Sequence, residues 1–233
     1  MQRERVGTDN LSEFLRYLAG CPRTGEGRIP ALADLSQQLG VSVASLREQL
    51  EVARALGLVE VRPRTGIRRL PYTFRPAVRQ SLAYALAMES DAFRTYSDLR
   101  NHIETAYWFE AVSLLTPEDH AHLRAQVQKA RAKLSGAPVQ IPQTEHRELH
   151  LSIYRRLDNP FVLGLLEAYW EMYEAVGLNL YNDLDYLQRV WDFHSQMVER
   201  IAAGDFQAGY RSLQEHIDLL THRPGTNRRQ RFE

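Results

Sequence analysis

The feature that most constrains the fold is a long run of helical patterns in the C-terminal part of the chain, from about residue 77 to residue 222. Apolar side chains recur there at intervals of three and four residues, and no segment shows the alternation typical of a strand. Turn-forming residues interrupt the run at Thr116-Pro117, residues 135–143, Asp158-Asn159-Pro160, Asn182-Asp183 and Gly204-Asp205. The spacing predicts roughly six helices in an antiparallel all-α bundle.

The residues before this run predict a different architecture. One helix is expected over Leu11–Ala19, a second opens at Pro30 and ends at Gly40, and a third begins after Ser42 and stops at Gly57. Two β-prone segments follow, around residues 59–62 and 67–70, joined by a turn at 63–66. Three helices followed by a hairpin predict a winged helix-turn-helix.

The expected fold class is therefore mainly α, with an N-terminal winged helix-turn-helix and a C-terminal antiparallel bundle. We place the domains at residues 1–73 and 77–222, and we expect the tail 223–233 to be disordered.

Composition narrows the classes of protein. The 233 residues are 44% hydrophobic and 25% charged, as in a globular protein. The single cysteine, Cys21, excludes an intrachain disulfide and suits a reducing cytoplasm. No apolar run is long enough to cross a membrane, and the first residues lack the apolar segment of a secretion signal. These observations predict a cytoplasmic protein with no membrane partner.

The net charge of zero hides an asymmetry. Residues 1–80 carry 13 arginines and 8 acidic residues, a balance of +5, whereas residues 81–233 carry 16 basic and 21 acidic residues, a balance of −5. This distribution indicates a polyanion partner, such as double-stranded DNA, for the N-terminal part only.

Six residues are candidates for DNA contact. Backbone N–H groups in the helical turn after Ser42 can donate to a phosphate, and Arg47 lies where a recognition helix meets base edges. Arg69 adds to the basic charge of the wing, and a glycine there permits close approach to the backbone. One alternative is a winged helix that makes only protein contacts, with its surface arginines solvated. For Arg47 alone, the alternative is a structural role. The DNA-contact set is Ser42, Arg47, Arg62, Arg64, Gly66 and Arg68.

This segment resembles the DNA-binding domain of the GntR family of bacterial regulators. The resemblance is carried by Ile29-Pro30, Leu39-Gly40-Val41-Ser42, Leu46-Arg47-Glu48-Gln49-Leu50, Leu56-Gly57-Leu58-Val59 and Gly66. The helical region that follows points to the FadR-like branch, whose effector domain is called FCD. The resemblance implies a homodimeric transcriptional regulator, commonly a repressor. The family usually has arginines that contact DNA where Ala33 and Val43 stand here, which puts its usual operator sequence in doubt.

Four histidines in the helical region are candidate metal ligands. His146 and His150 lie four residues apart, on one face of a helix. His194 and His216 lie 22 residues apart with the Gly204-Asp205 turn midway, so antiparallel helices would place them at one depth. Each histidine interrupts an apolar stripe and is expected to point inward, where its nitrogens need partners. A divalent metal such as zinc or nickel would satisfy them; the alternative is ordinary hydrogen bonding in the core.

The histidines again resemble those of the FCD domain, whose metal-binding members supply three histidines and one aspartate. His150, His194 and His216 match the three family histidines, and His146 stands at the aspartate position. The resemblance therefore implies a site of four neutral histidines, which leaves the full charge of the cation and favours anionic ligands. Glu145 is an alternative ligand, but it points about 100° away around the helix. We expect the remaining histidines, His102, His120, His122 and His222, to lie at the surface or make local contacts.

Arg100 and Glu104 match an Arg-x-x-x-Glu pattern of the same domain, in which the arginine can face the effector cavity. Arg100 is thus a candidate clamp for a small carboxylate, although a surface ion pair with Glu104 explains the spacing equally well. The aromatic residues Tyr107, Trp108, Tyr169 and Tyr173 are expected in the core. The function expected first is a regulator that binds a metal and a carboxylate; a regulator that senses the metal itself and a metal-dependent enzyme are the alternatives.

Overall fold

The structure, a computed structural model, describes residues 10–22, 27–89, 91–175 and 184–221. Within these ranges the chain is mainly α, which confirms the predicted fold class. The internal contacts divide the chain into two units, Met1–Leu82 and Ala83–Glu233. The predicted domain limits at residues 73 and 77 stay predictions, and the tail 223–233 lies outside the described residues.

The first unit is a winged helix-turn-helix, as predicted. Its elements are α1 (Glu13–Gly20), β1 (Arg28–Ile29), α2 (Leu32–Leu39), α3 (Val43–Ala55), β2 (Val59–Arg62) and β3 (Gly66–Arg69). The strands form an antiparallel sheet in the order β1-β3-β2. Arg68 of the central strand stands opposite Arg28 on one side and Glu60 on the other.

Local side-chain contacts explain where these helices begin. The Ser42 hydroxyl accepts from the backbone N–H of Ser45 at 3.2 Å, so Ser42 caps α3 as predicted. Ser12 caps α1 in the same way, and α1 begins at Glu13 rather than at Leu11. The second helix begins at Leu32, not at Pro30, because the preceding residues pair with β3 to form β1. A strand of two residues has no periodicity that the sequence could have shown.

The core of the first unit joins its helices to its sheet. The buried apolar residues are Phe14, Leu18, Ile29, Leu35, Leu46, Leu50, Ala53, Val59 and Ile67. Each of the three helices and three strands contributes at least one of them, so the sheet is part of the folded unit rather than a loose hairpin.

Helix α4 (Arg75–Met88) runs across the division between the units, and the second unit continues with helices only. These are α5 (Ala92–Ser113), α6 (Pro117–Leu134), α7 (Gln143–Tyr154), α8 (Pro160–Ala175), α9 (Leu184–Ala202) and α10 (Phe206–Thr221). The described part thus has seven helices from α4 onward where about six were predicted. The additional break, between α4 and α5, contains neither glycine nor proline, and it was not predicted from the sequence.

The other breaks follow the sequence. Thr116 and Asp119 form a reciprocal capping box at the start of α6, and Pro117 occupies its first turn. Gly204 adopts a φ of 75° between α9 and α10, a conformation that favours glycine. The predicted break at Asn182-Asp183 lies outside the described residues. The α9 stripe predicted to face inward is buried, including Trp191, Met197 and Ile201.

None of the described helices is both long and apolar enough to cross a lipid bilayer.

Candidate metal centre and nucleic-acid interface

The four predicted histidines come together inside the second unit. His146 and His150 lie one turn apart on α7, His194 lies on α9 and His216 on α10. His146 is 8% exposed, His150 is 1% exposed, and the other two are fully buried. Three helices therefore present four imidazoles to one interior region.

The turn between α9 and α10 sets the depth of two of these rings. The Asp205 side chain accepts from the backbone N–H of Ala208 at 3.0 Å and starts α10 directly after the glycine turn. Arg200 of α9 donates to the main-chain oxygen of Ala208 at 2.8 Å, which ties the two helices together. As the sequence spacing indicated, His194 and His216 face each other, with ring centroids 4.4 Å apart.

The positions of the ring nitrogens fit a metal ion. One nitrogen from each histidine lies within 4.8 Å of the others. In a tetrahedral zinc site with bonds of about 2.1 Å, the ligand nitrogens lie about 3.4 Å apart, so the four rings would have to draw closer together to bind the ion. The Nε2 atoms of His150 and His194 are 3.1 Å apart.

Several of these nitrogens have no other partner. In the described part of the chain, Nε2 of His146, Nδ1 of His194 and both nitrogens of His216 are buried without a hydrogen bond. An unsatisfied buried polar atom costs about 1–3 kcal/mol. Ordinary core hydrogen bonding therefore does not account for the cluster, whereas coordination to a cation would use these lone pairs.

The surroundings keep the four imidazoles neutral. Burial is the largest cause that holds the pKa of each histidine well below its ordinary value. The positive charge of Arg100 lowers the pKa of all four further, while Glu104 opposes this effect at His216. Neutral imidazoles keep the lone pair that a transition metal requires.

Arg100 and Glu104 lie directly beside the cluster and not at the surface. They are 2% and 0% exposed, and Arg100 Nε lies 2.9 Å from Glu104 Oε1. The other oxygen, Glu104 Oε2, is 3.1 Å from Nδ1 of His150. Burial raises the pKa of Glu104, and the charge of Arg100 opposes that rise. The expected ion pair is therefore present, but it is buried against a candidate metal ligand.

Aromatic rings enclose the arginine. The guanidinium carbon of Arg100 is 4.9 Å from the ring centroid of Tyr169 and 5.0 Å from that of Trp170. Trp170 also packs against the rings of His146 and His150. Trp108, Tyr169 and Tyr173 are buried, as expected of core residues, and Tyr107 is partly buried.

The side chain of Glu145, the alternative ligand, is directed away from the histidines. It is buried and accepts from Lys133 Nζ at 2.8 Å. Of the histidines expected at the surface or in local contacts, His102 is exposed and accompanies Asp98, and His122 lies 3.2 Å from Gln126 of its own helix. His120 is partly buried, and His222 lies outside the described residues.

A narrow opening lies beside His146. Its volume is about 10 Å³, and its walls come from the start of α7, from α8 and from α9. Tyr173 and Trp191 are among the lining residues. A space of this size holds about one water molecule, and of the four histidines His146 is the one that lines it.

The predicted DNA-contacting residues form an exposed basic surface. All six are solvent exposed in the first unit: Ser42, Arg47, Arg62, Arg64, Gly66 and Arg68. Around the wing, a groove of about 420 Å³ is lined by four arginines and a single acidic residue, Glu60. Their contact with DNA stays a prediction.

Two arginines differ from expectation. Arg28, which the sequence did not single out, lies in the same groove because β1 pairs with β3. Arg69, expected to add charge to the wing, instead donates to main-chain oxygens at the end of α1, including that of Cys21 at 2.8 Å. Arg69 therefore connects α1 to the sheet, and Arg28, not Arg69, lines the basic groove.

Comparison with known proteins bears on both units. The family described as FCD domain matches residues 96–219, which contain Arg100, Glu104 and the four histidines. A curated relative, the uncharacterized HTH-type transcriptional regulator YieP of Escherichia coli (strain K12), is 24% identical over 190 residues, which are 80% of this chain and 81% of the relative.

The fold is shared with a solved structure of a bacterial protein. Streptococcus agalactiae GntR has a TM-score of 0.61 and 15% identity, over 89% of this chain and 94% of that one. E. coli McbR/YncC matches with a TM-score of 0.49 and 20% identity, over 82% and 83% of the two chains. The metal-dependent enzyme considered from the sequence finds no support among these matches. The chain therefore belongs to the FCD domain family, and its similarity to an HTH-type transcriptional regulator and to a GntR fold agrees with the regulator predicted from the sequence.

Proposed function

We propose that this regulator is a homodimeric repressor that binds a double-stranded DNA operator, and that its helical domain binds a divalent transition metal together with a small carboxylate. The observation that carries the proposal is the set of four buried histidines with ring nitrogens within 4.8 Å of one another. Binding energy that differs between DNA-competent and incompetent states would couple the ligand to DNA affinity.

The donor set supports a borderline transition metal. Four imidazoles and no carboxylate favour zinc, nickel, cobalt or copper over magnesium or manganese. When bound, the metal would supply a positively charged centre that joins α7, α9 and α10. His146, His150, His194 and His216 would hold it, and four neutral ligands would leave its charge uncompensated.

The buried guanidinium of Arg100 supports the carboxylate. It lies beside the histidines, with Nη2 3.2 Å from Nδ1 of His150. Because Glu104 already pairs with Arg100, an incoming carboxylate competes with Glu104 for the guanidinium. Strong binding is thus expected only from ligands that also reach the metal.

One observation favours a second candidate, in which the metal itself is the signal. The opening at His146 has a volume of only about 10 Å³. A cation fits such a space, whereas a carboxylate needs the helices to move. This candidate predicts reversible metal binding, with DNA affinity that follows the metal concentration and needs no organic ligand.

The basic wing supports DNA binding by the first unit. Arg28, Arg62, Arg64 and Arg68 lie around one groove and present guanidinium groups suited to phosphates. Paired winged helices read paired half-sites, which requires two copies of the chain.

The first experiment is elemental analysis of the untagged protein after dialysis against zinc or nickel. We expect about one metal per chain, loss of the metal in His194→Ala, and retention in the control His102→Ala, whose histidine is exposed. Metal-free wild-type protein after this treatment would refute the metal site.

The second experiment measures DNA binding, with duplexes selected from a random library. Metal-free protein, metal-loaded protein, and metal-loaded protein with mono- and dicarboxylates are compared. A change that requires the carboxylate supports the first candidate, and a change with metal alone supports the second. Wild-type protein that binds no duplex in any state would refute DNA-dependent regulation.

A further inference from the structure

A buried carboxylate, Glu104, stands behind one of the histidines. Its Oε2 lies 3.1 Å from Nδ1 of His150, on the side of the ring away from the cluster. Its Oε1 pairs with Arg100 Nε at 2.9 Å, and both side chains are at most 2% exposed. Neither the sequence pattern nor the comparisons give this glutamate a role.

Two groups of opposite character compete for Nδ1 of His150. Glu104 offers an acceptor, whereas Arg100 Nη2, 3.2 Å from the same nitrogen, has only N–H donors. A neutral imidazole carries one proton, so Nδ1 either donates to Glu104 or accepts from Arg100. The choice fixes the other nitrogen, Nε2, which lies 3.1 Å from Nε2 of His194.

The two arrangements differ in what they offer a metal. If Nδ1 carries the proton, the lone pair of Nε2 points into the cluster and is available for coordination. If Nδ1 accepts from Arg100, Nε2 of His150 carries the proton and donates a hydrogen bond to Nε2 of His194. Neither of these Nε2 atoms then has a lone pair available for a metal. Only the first arrangement leaves His150 ready to bind.

We propose that Glu104 is a positioning residue that holds His150 with its proton on Nδ1 and thereby directs Nε2 to the metal. The proposal rests on the proposed metal site and deepens it. The charge of Arg100 attracts Glu104, with Nε 2.9 Å from Oε1, and Arg100 itself packs on Tyr169 and Trp170. A carboxylate that accepts from a metal-bound histidine also makes that ligand more basic.

In this arrangement, Glu104 supplies a carboxylate near a site whose direct ligands include none. With His146 as fourth ligand, no negative side chain would touch the metal, and Glu104 lies one imidazole farther out. Partners of this kind change metal affinity by about 10–100-fold when removed. Because the acceptor acts through His150, its loss should affect affinity and tautomer together.

The test compares double variants that leave no unpaired buried charge. Arg100→Met/Glu104→Leu removes the acceptor, whereas Arg100→Met/Glu104→Gln keeps an acceptor oxygen at the same position. Apolar replacement of a buried ion pair is often tolerated by the fold. The matched control is Lys133→Met/Glu145→Leu, which removes a buried carboxylate of α7 whose side chain pairs with Lys133 Nζ at 2.8 Å.

Two quantities are measured. Zinc dissociation constants come from competition with a chromophoric chelator, and the His150 tautomer comes from long-range ¹H–¹⁵N NMR of metal-free protein. We expect zinc binding about 10–100-fold weaker in the leucine variant, most of it recovered in the glutamine variant, and unchanged binding in the control. Metal-free wild type should carry the His150 proton on Nδ1, and the leucine variant should not.

Each outcome decides the question. Wild-type zinc binding with unchanged affinity in the leucine variant overturns the positioning role alone. A proton on Nε2 of His150 in metal-free wild type also overturns it, and this readout needs no variant to fold. Wild-type protein that binds no zinc refutes the proposed metal site and this role together.

Discussion

The sharpest prediction concerns His216, whose two ring nitrogens are buried and have no hydrogen-bond partner in the described part of the chain. Replacing it with leucine removes both orphaned atoms. At about 1 kcal/mol or more for each nitrogen, the gain is roughly 2 kcal/mol, and the change of shape in the core returns up to about 1.5 kcal/mol. Metal-free His216→Leu is therefore expected to be about 0.5–2 kcal/mol more stable than wild type.

Zinc should reverse this order. A ligand that binds only the folded state at 100 times its dissociation constant stabilises that state by about 2.7 kcal/mol. Wild type gains this free energy and the variant, which lacks one ligand, does not. Wild type should then be more stable than His216→Leu by about 0.7–2.2 kcal/mol. A histidine retained for packing would show no such reversal.

The assay is urea unfolding followed by tryptophan fluorescence, once with chelator and once with zinc. All three tryptophans, Trp108, Trp170 and Trp191, lie in the second unit, so the signal reports that unit alone. His102→Leu, at an exposed histidine, serves as the control in both conditions. If metal-free His216→Leu loses more than about 1 kcal/mol, the histidine has stabilising partners and the reasoning from its orphaned nitrogens is wrong.

Three further predictions follow from the same structure. In salt titrations with duplex DNA, Arg28→Gln and Arg68→Gln should each reduce the slope of log affinity against log salt by about 0.9. The control is Arg54→Gln on α3, where the arginine pairs with Glu51 and the slope should not change. Equal slopes in all three variants would exclude the wing groove as a phosphate-binding site. Gly57→Ala should lower the melting temperature more than Gly40→Ala, because both glycines have a φ of 68° but only the Gly57 methyl would lie 2.5 Å from a proline ring; equal losses would rule out the clash. In the metal-free protein, the four histidines have lowered pKa values, so the unfolded state binds more protons than the folded state as the pH falls through about 6.5. The free energy of unfolding should therefore drop by up to about 1.4 kcal/mol per pH unit for each histidine, while the raised pKa of Glu104 opposes this drop at lower pH. A free energy of unfolding that stays constant between pH 7 and 5 would contradict the prediction.

Some features of the fold were predictable because local signals agreed with tertiary packing. Ser42 caps α3 through its own hydroxyl, and the capping box at Thr116 starts α6 where the sequence placed a break. The α9 stripe around His194 is buried because a period of 3.6 residues puts all its members on one face. In each case, residues within a few positions of one another supply the cause.

Other features depend on residues distant in sequence. β1 exists only because Arg28 and Ile29 find partners in β3, nearly 40 positions later. Arg69, charged and close to the wing turn, is drawn instead to carbonyl oxygens at the end of α1. Local patterns carry no information on such pairings, so the sequence assigned Arg69 to the wing and overlooked Arg28.

The candidate site divides in the same way. The sequence by itself determined which four histidines face inward, because helical periodicity and the turn at Gly204 set the face and depth of each ring. Only the tertiary structure decided that Arg100 and Glu104 are buried behind His150, since their spacing of four residues suits a surface ion pair equally well. Packing of α5 against α7 and α8 removes that pair from water and aims it at a ring nitrogen, a contact between residues 46 positions apart.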